Sequence, residues 1–177
     1  MTFGLRRKLL TVAFLASLVA FVSVGVTSAS AQQQAAAASV TQTVTGTCTL
    51  ATGEAGTFVG TVTVTRFVLR QGQILAQGTL TGTCTGLTTG TTQTINQTFS
   101  VPITILQSTC TILVLQTGPI HLELLGLVVD ISPILITITG QSGTLLGGLL
   151  CGLANALQGG ANLTSIVQLL NRILAAL

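Results

Sequence analysis

From Val40 onward the chain alternates. In VTQTVTGTCTL, Val40, Val44, Cys48 and Leu50 share one parity; Thr41, Thr43, Thr45, Thr47 and Thr49 share the other. A period of two is the pattern of a strand that buries one face. TFVGTVTVTRFVLR (57–70) reads the same way, but its phase slips near Arg66, where Phe67 and Leu69 take over. A bulge or bend is expected there. QILAQGTLTGTCT (73–85) predicts a third strand, with Ile74, Ala76, Leu80 and Cys84 facing inward. TQTINQTFSVPITILQ (92–107) predicts a fourth, and Pro102 within it argues for an edge position or a break. Four shorter apolar segments follow, CTILVLQ, IHLELL, LVVDI and ILITITG, separated by Gly118-Pro119, Gly126 and Ser132-Pro133.

After Gly140 the period lengthens. Leu145, Leu146, Leu149, Leu150, Leu153 and Leu157 recur at helical spacing, opposite the small residues Gly147, Gly148, Cys151, Gly152 and Ala156. Gly159-Gly160 ends this helix, and Asn162 is placed to cap a second. In that second helix Leu163, Ile166, Val167, Leu170, Ile173, Leu174 and Leu177 form the apolar face; Thr164, Ser165, Gln168, Asn171 and Arg172 form the polar one. Strands first and helices last predict an α+β domain, mainly β. The expected architecture is an antiparallel sandwich or partial barrel with a C-terminal helical hairpin packed on it.

The N-terminus follows a different rule. Arg6, Arg7 and Lys8 precede an uncharged apolar run from Leu9 to Val26, and Ala29-Ser30-Ala31 follows. This order predicts a signal peptide over residues 1–31, cleaved after Ala31. An uncleaved anchor is the alternative, since the apolar run is long enough to span a bilayer. QQQAAAAS (32–39) reads as a flexible lead-in, and 40–177 as a single domain, β-rich over 40–140 and helical over 143–177. The expected location is therefore secreted or extracellular, with cell-wall association possible and no membrane span after cleavage.

Charge then narrows the function classes. The net charge of +3 resides in Arg6, Arg7 and Lys8, because Arg66, Arg70 and Arg172 balance Glu54, Glu123 and Asp130. No basic stripe and no Trp or Tyr are present for nucleic-acid binding. So little charge also offers little protection against self-association.

The motif TCT occurs at 47–49, 83–85 and 109–111. Between two outward threonines a cysteine points into the core. An even cysteine count in an exported chain predicts disulfides, with free buried thiols as the alternative. Of three possible connectivities, Cys48–Cys84 joins two similar strands, and Cys110–Cys151 joins a strand to the small face of the first helix, whose glycines permit close approach. Each would close a loop of roughly 35–42 residues, worth about 4 kcal/mol.

The segment from Cys110 to Cys151 also resembles a family of small secreted bacterial proteins common in actinobacteria. The resemblance rests on Cys110–Leu113, Gly118–Ile120, Leu124–Val128 and Gly143–Cys151, with Thr144 and Gly148 where the family pattern has asparagines. It covers roughly the last 70 residues. It supports secretion and the Cys110–Cys151 bridge, and implies no activity.

Catalytic chemistry is sparse. His121 is the one histidine; with Glu123, and with Asp130 if it folds back beside them, it could hold a divalent cation weakly. A solvent-facing polar row is the simpler reading. No serine lies in a nucleophile elbow, and three carboxylates with no aromatic platform make a poor glycosidase. No catalytic, metal or cofactor site is expected. The predicted function is a non-enzymatic structural or interaction component of the cell envelope or extracellular matrix, with self-association as a variant. A carrier of a small apolar ligand between sheet and helices is the alternative. Ice binding is a remote third, since the Thr-x-Thr segments share no regular short repeat.

Overall fold

The computed structural model describes residues 39–177. The expected signal peptide and nearly all of the lead-in lie outside them. Eight strands and two helices follow in order: β1 (Val40–Thr49), β2 (Ala55–Arg70), β3 (Gln73–Gly86), β4 (Thr92–Ser108), β5 (Ile112–Thr117), β6 (Ile120–Leu124), β7 (Leu127–Ile131), β8 (Leu135–Thr139), α1 (Leu145–Gln158) and α2 (Leu163–Leu174). All pairing is antiparallel, in the order β6-β7-β1-β2-β3-β4-β5-β8. The sheet curls into a half-barrel with both helices packed on it. The α+β, mainly β class holds, and of the two expected architectures the partial barrel is the one formed.

The meander β1–β4 makes the wall. Its inner parity carries Val44, Phe58, Val62, Ala76, Leu80, Ile95 and Phe99, all buried. Glycines on the same parity let the sheet curl. Cys48 is bonded to Cys84 across the intervening β2, at a Cα separation of 6.1 Å. Two strand spacings in a flat sheet would be about 9.5 Å. The residue of β2 facing Cys48 is Gly56, and a Cβ there would lie 3.1 Å from each sulfur. Gly60 and Gly82 face each other beneath the Phe58 ring, which would stand 2.5 Å from a Cβ on either one. The phase slip expected near Arg66 is a register shift between Val64 and Arg66.

Pro102 refines one expectation. It lies inside the continuous strand β4 at the point where the partner changes: Thr92–Pro102 pair with β3 alone and Ile103–Ser108 with β5 alone. The Pro102 carbonyl accepts from Gly118 N at 2.7 Å, but proline returns no donor, and the β4–β5 ladder stops there. The break falls in the pairing and leaves the strand whole.

Strands β5–β8 are one long hairpin. Ile112↔Thr139 through Gln116↔Leu135 and Ile120↔Ile131 through Leu124↔Leu127 share a single register. Gly118-Pro119 and Ser132-Pro133 lie opposite each other in that register, so both strands lose donors at one level and bend together. The stalk joins β4, and the tip, closed by Leu125-Gly126 at φ +48° and +91°, joins β1. Thr117, the one buried polar residue among those described, holds the bend: its N–H donates to Ile134 O (2.9 Å), and its hydroxyl accepts from Ile134 N (3.0 Å).

Thr144 caps α1 by accepting from Gly147 N, and Asn162 caps α2 by accepting from Ser165 N. Leu150, Leu153, Leu170 and Ile173 are almost wholly buried in the shared core. Two readings of these helices need correction. Gly148 and Gly152 do not bring α1 against the sheet: a Cβ on Gly148 would meet nothing within 4 Å, and one on Gly152 only Leu169 at 3.9 Å. Asn171 does not face solvent with the polar stripe. Its Oδ1 accepts from Phe67 N and its Nδ2 donates to Phe67 O, both at 2.8 Å. β1 reaches only Val64 on β2, so this amide takes the place of a strand neighbour beyond β1's start.

Candidate functional site

The outer face of the wall is the most regular surface of the described residues. Read across β1, β2, β3 and β4, the facing residues are Thr41–Thr63–Thr79–Thr98, then Thr43–Thr61–Thr81–Asn96, then Thr45–Val59–Thr83–Thr94, then Thr47–Thr57–Thr85–Thr92. Four rows of four thus hold threonine everywhere except at Val59 and Asn96. The segments share no short repeat, yet their threonines come into register across the strands. Neighbours stand about 4.8 Å apart across strands and about 6.7 Å along them. Each presents a methyl and a hydroxyl, exposed or half-buried. The Thr41 and Thr63 hydroxyls are 3.2 Å apart. The curl makes this face convex, which removes the flat plane that an ice-binding reading needs.

Charge is confined to the margins of the grid. Beyond one end, Arg66 Nε donates to Gln77 Oε1 (2.8 Å), and Gln77 Nε2 donates to Ser100 Oγ (3.3 Å). Beyond the other, Asp130 of β7 faces Thr47, and His121 of β6 faces Asp130. A shallow depression of about 440 Å³ opens there, lined by Thr45, Thr47, Thr57, Asp130, Ser132 and Pro133 among others.

His121, Glu123 and Asp130 do meet. His121 Nδ1 lies 2.5 Å from Asp130 Oδ1, and Nε2 lies 3.1 Å from Glu123 Oε1. The Asp130 hydrogen bond, then that from Glu123, raises the His121 pKa above its ordinary value. In the protonated form both ring nitrogens donate, one to each carboxylate. Among the described residues no group of His, Cys, Asp or Glu is arranged as a metal site. The trio behaves as an exposed ionic tie between the two tip strands.

Sequence reasoning missed a second tie. Glu54, in the β1–β2 turn, accepts from the N–H groups of Thr88 and Thr89 at Oε1 (2.7 and 2.8 Å) and from the Thr89 hydroxyl at Oε2 (2.7 Å). These bonds, the Thr89 hydroxyl foremost, hold its carboxyl below the usual range. Glu54 thereby fastens the β3–β4 loop to the β1–β2 turn, 34 residues away in the chain. Nothing local in the sequence marks the contact.

Cys110 is bonded to Cys151, which ties the β4–β5 turn to α1. The third TCT differs from the other two. It lies outside any strand; Thr109 Oγ1 accepts from Thr111 N and Ile112 N, closing a turn that leaves Cys110 exposed.

Comparison with protein-family models, curated proteins and solved structures gave no match to this chain. No helix among the described residues is long and apolar enough to cross a membrane. Two disulfides suit an oxidising location outside the cell.

Proposed function

We propose that the protein is a secreted, non-enzymatic component of the cell envelope or extracellular matrix, and that the threonine wall is its contact surface. One observation carries this reading: sixteen facing positions on four strands without a single charge. A strand face that merely keeps a domain soluble mixes Lys, Glu and Arg into its polar positions. This one offers only hydroxyls, methyls and one amide. Such a surface suits a neutral, hydrogen-bonding matrix and makes retention insensitive to salt. The signal-peptide pattern, the disulfides and the actinobacterial-type resemblance of the C-terminal segment support export.

The carrier reading has less support. Leu150, Leu153, Leu170 and Ile173 are at most 1% exposed and belong to the packed core, and the depression of about 380 Å³ between sheet and helices, lined by Ile74, Ile103, Ile105, Leu157, Leu163 and Ile166, opens on the surface.

Fractionation of the native host into medium, wall and membrane tests the proposal. Retention in the wall that resists a high-salt wash is expected, with release when Thr61 and Thr81, neighbours at the centre of the grid, are both replaced by lysine. A protein free in the medium, or retention untouched by the two lysines, would sink it.

A further inference from the structure

The two margins of the sheet are unlike. β6 is five residues long and carries His121 and Glu123, whose charges discourage another strand from pairing there. β8, Leu135–Thr139 with sequence LITIT, carries no charge and no proline. Its inward partners are fixed by the hydrogen bonds at its two ends, Thr117 N to Ile134 O and Gly140 N to Thr111 O, both 2.9 Å. In that alternation Ile136 and Ile138 bond to β5. Leu135, Thr137 and Thr139 therefore turn their N–H and C=O groups away from the sheet. All three residues are exposed, Leu135 by 51%, and no side chain among the described residues bonds to them.

We propose that β8 is the docking edge for β8 of a second copy of this chain, in antiparallel pairing about a two-fold axis through Thr137. The segment is self-complementary in that register. Thr137 faces its own counterpart, and Leu135 faces Thr139 of the second copy. The three pairs so formed use every outward N–H and C=O of the strand, two hydrogen bonds to a pair. Ile136 and Ile138 are already buried within each copy, so the pairing rests on these hydrogen bonds and on the exposed Leu135, Thr137 and Thr139. A two-fold axis doubles any charge lying on it, and this edge has none. Because each copy presents the same edge to the other, the interface uses itself up and the pair is closed.

Sedimentation of the protein purified from its host, together with single-cysteine crosslinking, tests this. The expected mass is that of a dimer, and Thr137→Lys, which sets two ammonium groups face to face, should give a monomer that keeps the parent's circular dichroism and both disulfides but loses the concentration dependence of its thermal unfolding. Because the Thr137 N–H points outward, Thr137→Pro should do the same without breaking the β5 ladder. Facing Cα atoms in such a pair lie about 5.5 Å apart, within disulfide reach. Thr137→Cys should therefore crosslink on oxidation, while Thr139→Cys, which faces Leu135, should not. A native protein that stays monomeric, a dimer that survives Thr137→Lys, or crosslinking through Thr139→Cys instead of Thr137→Cys would overturn the proposal.

Discussion

The wall β1–β4 and the bent hairpin β5–β8 use one alternation rule to opposite ends. In the wall, outward threonines meet inward glycines, cysteines and large apolar residues, and the sheet curls where glycine leaves room. In the hairpin, β5 is apolar on both parities over Ile112–Leu115, and Ile112 and Val114 on its outer side are half-buried. It bends where two prolines withdraw donors at one level, and its halves complete the two ends of the sheet. Curvature thus arises in the wall from missing side chains and in the hairpin from missing hydrogen bonds. The two disulfides divide in the same way. Cys48–Cys84 lies buried inside the wall, at 4% and 0% exposure, whereas Cys110–Cys151 anchors α1 at the surface.

The strongest way to break that contrast is to remove the bridges one at a time. Replacing Cys48 and Cys84 by serine should cost about 4 kcal/mol from loop entropy alone, and more from two hydroxyls left in the core, read as a fall in the urea midpoint. The Cys110/Cys151 pair closes a loop of similar length, so its entropic loss should match. Its response to reductant should differ: timed alkylation should label Cys110 and Cys151 well before Cys48 and Cys84. Simultaneous labelling would show that the wall does not shield its bridge.

Glycine gives the next largest effect. Gly82→Ala drives a methyl into the Phe58 ring and should destabilise by about 1–3 kcal/mol. Gly148→Ala, in open space on α1, should stabilise by up to about 1 kcal/mol. Equal effects in chemical denaturation would mean that the wall glycines do not set its curl.

Asn171→Leu keeps the size of the side chain but leaves the Phe67 N–H and C=O unpaired. A loss of about 1–3 kcal/mol is expected, with faster hydrogen exchange at the Phe67 amide. An unchanged exchange rate would mean that α2 does not serve as the missing strand neighbour.

The smallest effects concern pH. The raised His121 pKa contributes stability that is fully present below the ordinary histidine value and is lost as pH rises through the native one. The depressed Glu54 pKa contributes stability present above the ordinary carboxylate value and lost as pH falls through the native one. Thermal unfolding should therefore weaken slightly on the alkaline side in a way that His121→Gln abolishes, and on the acid side in a way that Glu54→Gln abolishes. His121 is exposed and Glu54 only half-buried, so the changes should be small. Profiles identical to the parent protein would remove the ties as stabilising contacts.

Much of the fold was legible because it is local. A period of two reports which side of a strand is dry, and a change to helical spacing reports where the strands stop; neither needs knowledge of a partner. The slip at Arg66 and the cap at Asn162 were readable for the same reason. Pro102 was legible as a break but not as a change of partner, because a missing donor constrains pairing on one side only, and the side is decided by where Gly118 comes to rest. The Glu54 tie and the Asn171 bridge join residues 34 and 104 positions apart, and one polar residue gives no sign of which distant backbone group it will meet.

By itself the sequence determined the strands and helices, their dry faces, and the near absence of charge, because side-chain chemistry and backbone period act within a few residues. Register belongs to tertiary structure. Only strand pairing aligned four unrelated Thr-x-Thr segments into one grid, set Gly56 beneath the Cys48–Cys84 bridge, and placed the two proline dipeptides opposite each other. Only the order of the strands left LITIT on one edge of the sheet and His121 on the other. Both depend on how the curl of the glycine-bearing wall brings its ends round to the two halves of a single hairpin.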